Sequence, residues 1–176
     1  MDTLTRMLTP LRRPLSAGLL VVLLGCGVCL GQPVTYAVPL SGDEEVPSRD
    51  TRAVGVAVLQ INEERTEISY LLIVANIRNV IASHIHVGSK GQNGPVVAVL
   101  AGPFAAGGGR VSGVIAQGTI TEEDLVGPLL GASFADLLGE IAAGNTYVNV
   151  HTNDGIDPPN TGAGDFPGGE IRGQIE

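Results

Sequence analysis

Three histidines are the residues of this chain with the most chemistry in their spacing. They fall in two short segments, Ser83-His84-Ile85-His86-Val87-Gly88 and Tyr147-Val148-Asn149-Val150-His151-Thr152. Both segments are rich in β-branched residues and read as strands. Alternate side chains of a strand share a face, which places His84 and His86 about 7 Å apart on one side. Two imidazoles at that spacing can converge on one ion, and His151 on a neighbouring strand would complete a three-nitrogen site suited to copper or zinc. The ligands would be neutral imidazoles, so acid would release the ion. The competing reading is structural. An imidazole can tie a loop down by donating to a carbonyl and accepting from a hydroxyl, and Thr152 and Asn153 stand beside His151.

Other polar groups are less specific. Residues 154–165 carry Asp154, Asp157, Asn160, Thr161 and Asp165, hard oxygen donors that calcium accepts. They lack the spacing of an EF-hand loop, and a solvated surface loop is the favoured reading. Asp43-Glu44-Glu45 reads as a wet acidic loop. Glu170 and Arg172, two residues apart, are expected to pair and pin the end of the last strand. No phosphate loop, dinucleotide fingerprint or serine nucleophile elbow occurs, and no pair of acids is placed across a cleft. No catalytic residue is assigned, and the reading leans away from an enzyme.

The elements that must position the histidines are short. Of 176 residues, 25 are Gly and 11 are Pro, which favours turns. Strands are expected at Val34–Leu40, Ala53–Ile61, Thr66–Val74, Ser83–Val87, Val96–Leu100, Arg110–Ile120, Tyr147–His151 and Glu170–Ile175. Thr121 and Ser133 each stand three residues before an aspartate, a variant of the capping box. One or two short helices are therefore expected before Gly144. The fold class is all-β: a β-sandwich or Greek-key barrel.

Residues 1–31 read as an export leader. Arg6, Arg12 and Arg13 form its basic start, and Leu15–Leu24 its apolar stretch, too short for an ordinary membrane span. Two processing routes compete. Cys29-Leu30-Gly31 suits ordinary cleavage before Gln32. Leu23-Leu24-Gly25-Cys26 resembles a lipobox, in which the leader ends at residue 25 and Cys26 is acylated. The product is an exported protein, periplasmic, extracellular or lipid-anchored, with contact to membrane only through that anchor. Residues 32–176 form one domain. Both cysteines lie in the leader, so the domain has no disulfide. It carries seven Lys and Arg against seventeen Asp and Glu, a net charge of −10. That charge opposes nucleic acid, and an aromatic content of 3% without Trp gives bases or sugars no platform. The partner expected is an extracytoplasmic protein or a small ligand.

Five segments in order resemble the chordin-type (CHRD) domain family: Leu40 to Pro47, His84 to Gly88, Gly91 to Val97, Tyr147 to Thr152 and Gly169 to Ile175. The resemblance covers nearly all of 32–176, with an extended loop at 153–167 as its main departure. It implies a Greek-key or immunoglobulin-like β-fold in an exported protein; in animals the domain occurs in chordin, an extracellular antagonist of growth factors. A looser resemblance links the chain to copper/zinc superoxide dismutase, in which His84, His86 and His151 would correspond to copper ligands. The bridging histidine, the zinc ligands and the disulfide have no counterpart here, and Arg172 does not match the anion-steering arginine. That resemblance implies a superoxide-dismutase-like topology as one option and leaves metal binding open, and it does not extend to dismutase activity.

Overall fold

Alternation of apolar and polar residues, broken by Gly, Pro and Asn, divides residues 32–176 into eight strands. These residues are the ones described by the computed structural model. The strands are β1 (Val34–Ser41), β2 (Val54–Ile61), β3 (Ile68–Arg78), β4 (Val80–Val87), β5 (Val96–Ala101), β6 (Arg110–Ile120), β7 (Thr146–Thr152) and β8 (Ile171–Gln174), with one helix, α1 (Phe134–Ala142), between β6 and β7. The expected leader and its candidate acylation site Cys26 lie outside the described residues.

All neighbouring strands are antiparallel, in the order β5-β4-β7-β8-β1-β2-β3-β6. The two end strands approach each other, so the sheet nearly closes into a barrel. Tyr70 Oη on β3 donates to the Leu100 carbonyl on β5 across that seam, at 2.9 Å. The outer edge of β5 is also covered by a bridge from Leu125 to Ala98 and a bond from Val126 N to Val97 O. Both devices occupy backbone groups that an open edge would offer to another chain. The all-β expectation is met, in its barrel form.

The barrel interior takes one face of each strand. Val38 and Leu40, Ala57 and Leu59, Ile68 and Leu72, Ile85, Val148 and Val150, and Ile171 are all at most 2% exposed and form one cluster. Helix α1 starts as its capping box directs: Asp136 Oδ2 accepts the Ser133 N–H at 2.9 Å and its hydroxyl at 2.8 Å. The helix buries Phe134, Leu137 and Ile141. Thr121 and Asp124 make the same bonds, yet only a single 3-10 turn forms, at Glu122–Asp124. There the chain turns extended at Leu125 to reach β5, and Gly127-Pro128 follows at once.

Candidate metal centre

The outward face of β4, β7 and β8 is not a wet surface. Ile85, Val148 and Val150 point into the barrel, so their strand neighbours point outward. Register places His84 opposite Asn149 and His86 opposite Tyr147, while Asn149 faces Arg172 and Tyr147 faces Gln174. His151 stands opposite Ala82, one step along the same face from His84. Loops fold over this row of polar groups, and every residue of β7 is buried on both sides. The result is a thin polar layer between the barrel wall and its covering loops.

Arg172 holds that cover in place. It is 1% exposed and donates to the carbonyls of Gln92 (2.9 Å) and Ser89 (3.2 Å), to Asn93 Oδ1 (3.3 Å) and to Gln174 Oε1 (3.1 Å). Its guanidinium lies 3.4 Å from the centre of the Tyr147 ring. Tyr147 in turn stacks on His86, with ring centres 4.8 Å apart and planes 9° apart. Gln174 Nε2 donates to the Gly88 and Gly144 carbonyls at 2.9 and 2.8 Å. The expected pairing of Arg172 with Glu170 does not occur. Glu170 instead accepts the hydroxyls of Thr51 and Thr152, each at 2.6 Å, and the Gly164 N–H at 2.8 Å. The reason is that Glu170 precedes β8 and turns toward the 163–170 loop, while Arg172 lies under the 88–95 loop.

The three histidines come together. Ring centres are 5.6 Å apart for His84 and His86, 4.9 Å for His84 and His151, and 5.9 Å for His86 and His151. One nitrogen from each lies within 4.8 Å of the others. His86 Nδ1 faces the Gly94 carbonyl and His151 Nδ1 faces the Pro167 carbonyl, each at 2.9 Å. A carbonyl only accepts, so both Nδ1 atoms carry hydrogen and each Nε2 is left with a lone pair. Carbonyls that fix the tautomer in this way are the usual outer partners of histidine ligands. His151 Nε2 lies 3.1 Å from His84 Nδ1, and His86 Nε2 is buried without a hydrogen bond of acceptable geometry, the Asn149 amide being its polar neighbour. An orphaned lone pair in a closed site is costly unless something occupies it.

The donor set fits a copper or zinc ion. Nitrogens at 2.0–2.1 Å from one ion stand about 3–3.5 Å apart. The His84–His151 pair already meets that spacing at 3.1 Å, and the third ring offers a nitrogen within 4.8 Å of both. His86 and His151 are 7% and 9% exposed, while His84 is half-buried and forms the open side. Burial pushes all three imidazoles below their ordinary range, to about 4 for His84, where His151 and His86 add repulsion. The rings are therefore neutral, as ligation requires, throughout the neutral range.

A further group was not legible as part of this layer. Glu45, expected in a wet loop, is 5% exposed, and its Oε1 has no partner. Burial pushes its carboxyl up to about 7, against the opposing pull of Arg172 and Arg49. In residues 154–165 no three donors of metal-ligand spacing meet: Asp154 caps its own turn at Ile156 N, and Asp165 Oδ2 binds Thr161 while its Oδ1 is buried without a partner. Among the described residues, the histidine trio is the group with metal-ligand spacing.

A family model described as the CHRD domain matches residues 36–175, nearly the whole of the described chain. No curated protein and no solved structure matches the chain.

Proposed function

The chain belongs to the CHRD-domain family, and from that premise we propose that it is an exported binding module whose ligand is a single copper or zinc ion, held by His84 Nδ1, His86 Nε2 and His151 Nε2. One observation carries the reading: backbone carbonyls hold Nδ1 of both His86 and His151, the Nε2 of His151 lies 3.1 Å from His84 Nδ1, and the Nε2 of His86 is buried without a hydrogen bond in a trio whose nitrogens lie within 4.8 Å of one another. Because His151 Nδ1 carries its hydrogen toward the Pro167 carbonyl, the 3.1 Å contact has the His84 Nδ1–H donating to His151 Nε2. Ligation through His84 Nδ1 would require that hydrogen to sit on the other ring nitrogen, a change of tautomer with no net loss of a proton from a neutral ring. Arg172, Tyr147 and the carbonyls of Gly94 and Pro167 are positioning groups that hold the rings. Export through residues 1–31 would deliver the domain to a compartment where it meets its ion. No helix among the described residues is long and apolar enough to cross a membrane.

The test is metal content. The purified protein, equilibrated with copper or zinc and freed of excess, is expected to retain one ion per chain. The His84→Ala/His86→Ala variant is expected to retain less than a tenth of that. Its circular dichroism should match the parent, since both side chains lie outside the barrel core. Equal metal in both proteins would dismiss the site and leave the rings a loop-fastening role.

A further inference from the structure

A second polar cavity, of about 660 Å³, opens where β3 ends and β6 begins, bounded by Thr51, Arg52, Asn76, Arg78, Arg110 and Glu170. Three of the seven basic residues of 32–176 line it, in a segment whose net charge is −10. All three arginines are exposed, and among the described residues none has a carboxylate within ion-pair distance or a side-chain hydrogen bond. Arg78 and Arg110 are also direct partners across the β3–β6 ladder. Like charges directly opposite each other destabilise a sheet. A slip in register between Val74 and Ile77 precedes the pair, and Asn76 within it has a φ of +58°. Bulges of this kind re-aim side chains at sites of function. Neither acid at the cavity is ion-paired with an arginine: the Glu170 oxygens accept from Thr51, Thr152 and Gly164, and Asp50 on the rim makes no ion pair.

We propose that this cavity binds a small polyvalent anion, a molecule bearing two or more oxyanion groups, with Arg78 and Arg110 clamping one group and Arg52 and Asn76 reaching the other. Guanidinium forks suit carboxylate and phosphoryl oxygens alike. The volume is that of a small-molecule site and exceeds the need of a lone inorganic ion. An anion between Arg78 and Arg110 converts a destabilising pair into a favourable one. This inference does not depend on the metal centre.

The experiment is a thermal melt of the purified protein with pyrophosphate, with citrate, and with sodium chloride at matched ionic strength. Pyrophosphate or citrate at about 100 times its Kd is expected to raise the midpoint by roughly 5 °C or more above the chloride control. A response to pyrophosphate alone assigns a phosphoryl ligand, and a response to citrate alone a carboxylate one. The shift is expected to vanish in Arg78→Gln/Arg110→Gln, whose own midpoint without ligand should be no lower than the parent's. It should persist in His84→Ala/His86→Ala, which removes chelation of a bound metal as its cause. No shift beyond chloride, or an equal shift in the double arginine variant, would overturn the proposal.

Discussion

At the scale of single residues, the polar layer is governed by burial. His84, His86 and His151 are depressed by desolvation, so the stability they contribute is present above 6.5 and is lost on acidification below it, for His84 as pH falls through about 4. Glu45 works in the opposite sense. Its folded value of about 7 lies above its unfolded 4.5, so its contribution is intact below 4.5 and is lost as pH rises through 7. Glu45→Gln is therefore expected to gain on the parent by on the order of 2 kcal/mol between pH 5 and pH 8. Urea unfolding at the two pH values measures the gain, and a constant difference would contradict it. Arg172→Met would leave the Ser89 and Gln92 carbonyls without their donor and the Tyr147 ring without its cation. A loss of about 3 kcal/mol is expected from denaturant midpoints. A change below about 0.5 kcal/mol would mean that the guanidinium does not hold the loop.

At the scale of elements, β7 does the positioning. Its inward Val148 and Val150 anchor it in the core, which leaves Tyr147, Asn149 and His151 no freedom but to face the covering loops. The two-residue period and the β-branched content made this face legible in sequence, and so the histidine trio was legible too. The roles of Arg172 and Glu45 were not. Both are charged residues whose burial depends on loops 88–95 and 42–49 folding back over the sheet, and no local periodicity reports that. The Thr121 capping signal was legible but did not become a helix, because Gly127-Pro128 and the pull of β5 ended it after one turn. The same loop logic makes Gly94 sensitive. A Cβ there would overlap the Val87 carbonyl, and the residue also supplies the His86 carbonyl partner and the N–H that donates to Tyr147 Oη. Gly94→Ala is expected to cost on the order of 2 kcal/mol and to lower metal retention with it. By contrast, Gly139→Ala on α1 meets open space and should stabilise by roughly 0.5–1 kcal/mol. Thermal melts of the two variants should move in opposite directions, and a shared direction would refute the reading of these positions.

At the scale of the whole molecule, a nearly closed barrel presents two chemistries on its outside, a three-imidazole centre under one loop cover and an arginine-lined cavity at the β3–β6 end. Strand number, antiparallel pairing and all-β class were legible from turn residues and alternation. The choice between sandwich and barrel was not, since closure rests on contacts between strands far apart in sequence, such as Tyr70 with Leu100. The proposed export carries its own prediction. Both cleavage routes remove at least the first 25 residues, so the intact mass of protein recovered from an exporting host should lack them; retention of Met1 would contradict the leader. The most direct measurement is anomalous diffraction from crystals of the protein loaded with copper or zinc. A single peak about 2.0–2.1 Å from His84 Nδ1, His86 Nε2 and His151 Nε2 is the predicted result. A peak elsewhere, or none with the His84–His151 hydrogen bond intact, would contradict it.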